Sequence, residues 1–219
     1  MREAPSVTYR GRVKYNARTA RQYQVRKAGR HRAEMRLVDR AFARVPRTHR
    51  VLDVPCGGGR LTAHLAKQGY RLCAADLSDA MLQITRETVA KEAPGAPVEK
   101  QDIENLTFPD RSFDTIVSFR LFHHFPTPEI RQRVVAELCR VARKYVALSY
   151  FSPASVTSVR RRLRAALGGK RSEKHATPLR EVEGYFVKAG FMLVKDFAQL
   201  PLLHTMHLVL FARVGETEP

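Results

Sequence analysis

The chain has 219 residues, 44% of them hydrophobic, and its 39 Lys and Arg against 21 Asp and Glu give a formal net charge of +18. That length suits one α/β domain able to bury roughly 70% of the surface its unfolded chain exposes, and no apolar run is long enough to cross a bilayer. Three cysteines without a CxxC pair, Cys56, Cys73 and Cys139, argue against a disulfide framework or a metal site and suit a reducing cytoplasm, and the Arg-rich beginning lacks the apolar core of a signal peptide.

The charge is uneven: residues 1–50 carry a net +12, 51–151 carry +1, 152–178 carry +6 and 179–219 carry −1. Such basic stretches either attract an anion (nucleic acid, a phosphorylated sugar, the face of an anionic membrane) or form a solvated surface. Residues 1–14, with Pro5, Gly11 and no period, read as a loose arm. From Tyr15 to Val45 apolar residues fall three and four apart, at Ala20 and Tyr23 and then Met35, Leu37, Val38, Ala41, Phe42 and Val45, which predicts helix up to Pro46. Residues 1–45 thus stand as a basic arm with helices ahead of one domain over 46–219.

The chain then reaches Val51-Leu52-Asp53-Val54-Pro55-Cys56-Gly57-Gly58-Gly59-Arg60-Leu61-Thr62, which reads as a buried parallel strand, a tight turn and the start of a helix. Glycine lets the backbone approach whatever sits above the helix N-terminus, as in a nucleotide-type site at the carboxyl end of a strand. A dinucleotide fingerprint wants a small residue where Thr62 stands, and no Gly-Lys-Ser/Thr follows to make a Walker loop. Leu61 to Gln68 makes a short helix stopped by Gly69, and Tyr70 to Ala75 a second strand ending on Asp76. A carboxylate about 20 residues past the glycine turn is placed to grip a ribose diol. Ser78 suits the N-cap of the next helix, which Pro94-Gly95 closes.

A short third strand runs from Val98 toward Gln101-Asp102-Ile103, and a fourth, after Leu106-Thr107-Phe108-Pro109-Asp110-Arg111-Ser112-Phe113-Asp114, delivers Phe119-Arg120-Leu121-Phe122-His123-His124 to its carboxyl end. Pro126 to Ala142 is an amphipathic helix and Tyr145 to Tyr150 a fifth strand. The basic segment 152–178 follows, then a helix from Pro178 to Ala189. Phe191 to Phe197 and His204 to Val214 read as two closing strands joined across Pro201.

Several of these stretches resemble class I S-adenosylmethionine-dependent methyltransferases, in particular the methyltransferase type 11 group. Asp53, Gly57 and Gly59 stand in the places of the family's first motif, with Pro55 where its first glycine usually falls. Asp76-Leu77-Ser78-Asp79-Ala80-Met81-Leu82 is similar to its Asp-x-Ser-x-x-Met-Leu motif, and the segment from Leu106 to Val117 to its "LPFPDxSFDxV" run. The resemblance implies a Rossmann-like seven-stranded, mostly parallel sheet with helices on both faces and an antiparallel last strand. It implies S-adenosyl-L-methionine bound along Asp53, Pro55, Cys56, Gly57 and Gly59. Asp76 would hold the ribose, Leu77 and Met81 line the adenine, Asp102 accept from its amino group and the Ile103 backbone read the ring, with Phe119 and Arg120 also in the pocket. Of the leading helices, which would cap the cofactor, Tyr23 and Arg26 either meet its methionyl end or simply pack. Asp114 is structural, and no metal is implied.

The segment after the fourth strand lacks the Asn/Asp-Pro-Pro-Tyr/Phe set of amino-directed nucleic-acid enzymes, and Cys56 lies in the wrong motif for carbon-5 methylation. His123 or His124 either takes the proton of a hydroxyl nucleophile or packs ahead of the next helix. The reading is therefore O-methylation of a small, lipid-linked or sugar-linked anionic acceptor under a basic lid formed by 152–178, whose Gly168-Gly169 pair would let it move. RNA methylation with the arm tracking phosphates is the alternative, and a non-catalytic cofactor-binding subunit a second. Peripheral contact with an anionic membrane is compatible with the same charges.

Overall fold

Runs such as Val51-Leu52 and Ile116-Val117 are apolar on both faces of a strand, and so are stable only in a sheet covered on both sides. The computed structural model describes residues 28–168, 174–199 and 205–215, and there these runs form the centre of such a sheet. Strands β1 (Arg50–Asp53), β2 (Arg71–Asp76), β3 (Val98–Lys100), β4 (Phe113–Ser118), β5 (Ala142–Phe151), β6 (Phe191–Ala198) and β7 (Met206–Arg213) lie in the order β3-β2-β1-β4-β5-β7-β6. The pairs from β3 to β5 are parallel, and β7 runs antiparallel to both β5 and β6. This is the Rossmann-like, mostly parallel sheet that the motifs imply.

Helices cover both faces: α1 (Ala28–Phe42), α2 (Arg60–Ala66), α3 (Asp79–Glu92), α4 (Pro128–Val141), α5 (Val156–Ala166) and α6 (Leu179–Lys188). The starts of α3 and α4 are written in the sequence. Ser78 Oγ accepts from Met81 N and Thr127 Oγ1 from Ile130 N, each at 3.4 Å, and Pro128 opens α4. One core packs Val134, Val135 and Leu138 of α4 and Val182 and Phe186 of α6 against the sheet. The other packs Leu37, Val38 and Phe42 of α1 and Leu61 and Leu65 of α2 against the opposite face. Each such side chain, fully buried, contributes about 1.5–3 kcal/mol. Among the described residues no helix is long and apolar enough to cross a membrane.

The fifth strand begins at Ala142, three residues ahead of the expected Tyr145. Ala142 pairs with Phe113, and Arg143 reaches Asp114 Oδ1 at 3.3 Å, so the basic pair Arg143-Lys144 edges a strand and not a loop. The expected helix over Tyr15 to Lys27 and the connection across Pro201 lie outside the described residues. Topologically the decisive point is β1. From it the chain moves outward to β2 and β3, then returns to its other side as β4. The crevice above the carboxyl ends of β1 and β4 is where such sheets bind ligands.

Candidate active site

A cleft open to solvent occupies that crevice. Its floor is the turn after β1. Gly57 and Gly59 have φ of 55° and 74°, the left-handed region that favours glycine. The Val54–Pro55 peptide is cis. A Cβ on Gly59 would lie 3.2 Å from Thr85 Cγ2 and 3.3 Å from Thr88 Cβ, and one on Gly58 would lie 3.3 Å from Ile84 Cγ2. These glycines therefore let α3 cross close against the turn. Thr85 and Thr88 fasten it there by donating their hydroxyls to Gly57 O and Gly58 O at 2.5 and 3.0 Å. Gly59, expected among the cofactor contacts, does not line the cleft; it shapes the turn from behind and caps α2.

Asp53 is fully buried at the end of β1. Its Oδ2 accepts from Thr62 Oγ1 at 2.7 Å, while Oδ1 is buried without a hydrogen-bond partner. Burial, with the charge of Asp76 adding to it, pushes its pKa up to about 7. Thr62, the residue that spoils a dinucleotide fingerprint, is thus the clasp between strand and helix. Asp76 ends β2 with Oδ2 accepting from Gly57 N and Oδ1 from Ser78 N, both at 2.9 Å. Its pKa is raised by burial against the pull of those backbone donors. Burial and the two neighbouring aspartates push the Cys56 thiol up as well, so it is no thiolate nucleophile.

The walls are built from the remaining strand ends. Leu77, Met81 and Ile103 give an apolar side, and Asp102 lies beside them with Oδ1 accepting from Glu104 N at 3.0 Å. Across from them stand Phe119, Arg120, Leu121 and His124. Arg120 is a non-glycine residue at φ 68°, a conformation that persists only where its surroundings fix it. Its N–H donates to Ser149 Oγ at 2.5 Å and its guanidinium to Glu34 Oε1 at 2.6 Å, Glu34 being buried on α1.

The structure separates the two histidines. His124 lines the cleft, whereas His123 is buried, stacked on Phe151 with ring centroids 4.0 Å apart, and its carbonyl accepts from His175 N at 2.9 Å. Twelve sequence-chosen residues therefore meet in one cleft: Asp53, Pro55, Cys56, Gly57, Asp76, Leu77, Met81, Asp102, Ile103, Phe119, Arg120 and His124. Tyr23 and Arg26 lie outside the described residues. Sequence reasoning missed Met35 and Arg60, which also line the cleft. Met35 belongs to the helical stripe that reads as core, and Arg60 is the residue after the glycine run, a place where a cation faces the turn.

Residues 51–145, which carry every cleft residue from Asp53 to His124, match the family described as "Methyltransferase domain". Over 79 residues the chain is 35% identical to the ubiquinone biosynthesis O-methyltransferase of Coxiella burnetii, covering 36% of this chain and 34% of that protein. Over 97 residues it is 38% identical to the phosphatidylethanolamine N-methyltransferase of Cereibacter sphaeroides, covering 43% and 46%. The chain thus spans between a third and a half of the length of these relatives. In fold it is similar to magnesium protoporphyrin IX methyltransferase from Synechocystis PCC 6803 with bound SAH, with a TM-score of 0.68 at 19% identity over 96% of this chain and 90% of that one.

Proposed function

We propose that this chain, whose residues 51–145 match the methyltransferase domain family, moves the methyl group of S-adenosylmethionine onto a hydroxyl of a small or lipid-linked anionic acceptor. The observation that carries the reading is Asp76, a buried carboxylate tied to the glycine turn yet open to the cleft. Its carboxylate accepts from the backbone of Gly57, Ser78 and Leu77, and a carboxylate with about four lone-pair sites can still accept from a ribose diol. The rest of the cleft fits the same molecule. Leu77, Met81 and Ile103 offer an apolar slot with Asp102 at its edge, and the orphaned Asp53 Oδ1 asks for a cationic donor such as an amino-acid ammonium.

When bound, S-adenosylmethionine supplies a methyl on a positively charged sulfur, a leaving group that needs no proton. What this chain must do is align. Holding an acceptor in line is worth roughly 7–11 kcal/mol, and His124, on the cleft wall, is placed to take the hydroxyl proton as the new bond forms. His123 would support it by packing. Arg120, whose charge Glu34 balances, would orient the acceptor on the cleft wall, and the basic segment 152–178 would supply net positive charge to draw an anionic acceptor. The two relatives, one an O-methyltransferase of ubiquinone biosynthesis and one acting on phosphatidylethanolamine by their names, favour a small or lipid acceptor. The +12 of residues 1–50 favours the second reading, an RNA acceptor.

Thermal shift against S-adenosylmethionine, S-adenosylhomocysteine and NAD tests the cofactor. Stabilisation by the first two alone is expected, about 2.7 kcal/mol at one hundred times the dissociation constant. Stabilisation by NAD in their place would overturn the reading.

A further inference from the structure

An amphipathic helix on a globular protein normally turns its apolar stripe inward. α5 does the reverse. Val156, Val159 and Leu163, with Leu167 in the turn that continues the helix through its N–H bond to Leu163 O, fall at steps of three, four and four and share one face. They are 58%, 50%, 60% and 87% exposed. The side turned to the protein is held by serines instead. Ser158, 4% exposed and on the other side of the helix, donates its hydroxyl to Ser152 O at 2.9 Å and its N–H to Ser155 Oγ at 3.1 Å. Residues 153–172 contain six Lys or Arg and no Asp or Glu. Arg160 and Arg164, both exposed, follow Val159 and Leu163 by one position and so border the stripe.

We infer that α5 docks in the plane of an anionic phospholipid bilayer, with Val156, Val159, Leu163 and Leu167 among the acyl chains and Arg160 and Arg164 on lipid phosphates. An outward apolar face edged by uncompensated cations matches that surface and its charge. A second copy of the chain would bring two such arginine sets together with no acidic residue on either helix to offset them. Nucleic acid would satisfy the arginines but leave Leu163 and Leu167 in water. The segment leading into α5 leaves β5 at Phe151, on the carboxyl edge that carries the cleft, so docking turns that edge toward the lipid. That consequence, delivery of a lipid-borne acceptor, rests on the methyl-transfer reading; the docking itself does not.

The test is co-sedimentation of the full chain with vesicles of phosphatidylcholine alone or mixed with an equal part of phosphatidylglycerol. Binding to the mixed vesicles only, weakened by salt, is expected. Replacing Val159, Leu163 and Leu167 by Ser should weaken partitioning on the order of 100-fold or more. Arg160→Gln and Arg164→Gln should each weaken it about five-fold. All these residues are exposed, so melting temperatures should stay as in the wild type. The chain has no tryptophan, so Leu163→Trp gives a single reporter whose emission should shift to the blue on the mixed vesicles. Absence of binding, equal binding to both vesicles, or an unshifted tryptophan overturns the inference. So does concentration-dependent dimerisation that the serine variant abolishes, or RNA binding that only the arginine variants weaken. None of these readings involves activity, so they fail or succeed separately from the methyl-transfer proposal.

Discussion

Burial holds the proton on Asp53 more tightly in the folded chain, where its pKa is about 7, than in the unfolded chain, where it is near 3.8. The folded state therefore binds more protons between those values, and stability falls as pH rises from about 3.8 to about 7, then levels off. Asp53→Asn keeps an acceptor for Thr62 and removes the titration. Relative to wild type it should gain up to about 4 kcal/mol across that window, read from melting temperatures at a series of pH values; a constant difference would refute the buried charge. Asp76 and Asp114 make a second contrast. Asp114 accepts from Arg50 N at 2.9 Å and pairs with Arg143, well away from the cleft. Asp76→Ala should cost about 1.5–3 kcal/mol of S-adenosylmethionine affinity and Asp114→Ala only stability, as calorimetry would separate; equal affinity losses with folding intact would sink the ribose role. The histidines make a third. His124→Ala should lower turnover on the order of 10²-fold with cofactor binding retained, whereas His123→Ala should lower the melting temperature through its lost stack on Phe151. The same turnover loss at both would leave no distinct base. Adjacent in sequence, these two residues are indistinguishable there. The tight turn Phe122–His124 decides which ring meets the cleft, and no spacing rule announces it.

At the scale of elements, what the sequence made legible is what local chemistry controls. Gly57 and Ser78 act on the backbone beside them, so that turn and that cap fall where expected, whereas α4 starts at Pro128 under a Thr127 cap, two residues after the expected Pro126. What was not legible depends on partners far along the chain. Thr62 looks like a failed fingerprint until Asp53 is seen across from it. Met35 looks like core until α1 is seen to pass over the cleft, and Ala142 joins a strand because Phe113 is there to pair with it. Arg140 is of the same kind. On α4 it donates to Leu106 O at 2.7 Å and Phe108 O at 2.8 Å, while its neighbour Glu137 accepts from Leu106 N at 2.9 Å. A helix thereby latches the loop whose LTFPD run carries much of the family likeness. Charge-assisted bonds of this sort are worth about 1.5–3 kcal/mol when buried, and this one is partly exposed. Arg140→Met should thus cost about 1–2 kcal/mol and quicken amide exchange around Leu106 without touching the strands. Unchanged exchange there would show that the loop holds itself.

For the molecule as a whole, the sheet was legible through the family resemblance of its motifs, and the alternation of strand and helix agrees with it, because parallel strands with covered faces admit few arrangements. The charge is a different matter, since its division along the chain is read from the sequence. The near-neutral stretch 51–151 supplies all of the cleft lining but Met35, and the excess lies in residues 1–50 and 152–178, where it either meets a visiting anion or forms a solvated surface. The identity of that visitor has a thermodynamic signature. A single-stranded nucleic acid releases one set of counterions per phosphate neutralised, and log affinity then falls with log salt at a slope near −0.7 per contact. With several arginines engaged, affinity would drop by orders of magnitude between low and moderate salt. A small anionic acceptor meets one or two cations, so its KM should rise only mildly over the same range. The shallow dependence is the expected one, since the segment Phe119 to Phe125 lacks the residues that grip an exocyclic base nitrogen. A steep slope with structured RNA, abolished by neutralising arginines in residues 1–50, would make that basic stretch a phosphate tracker and the acceptor a nucleotide.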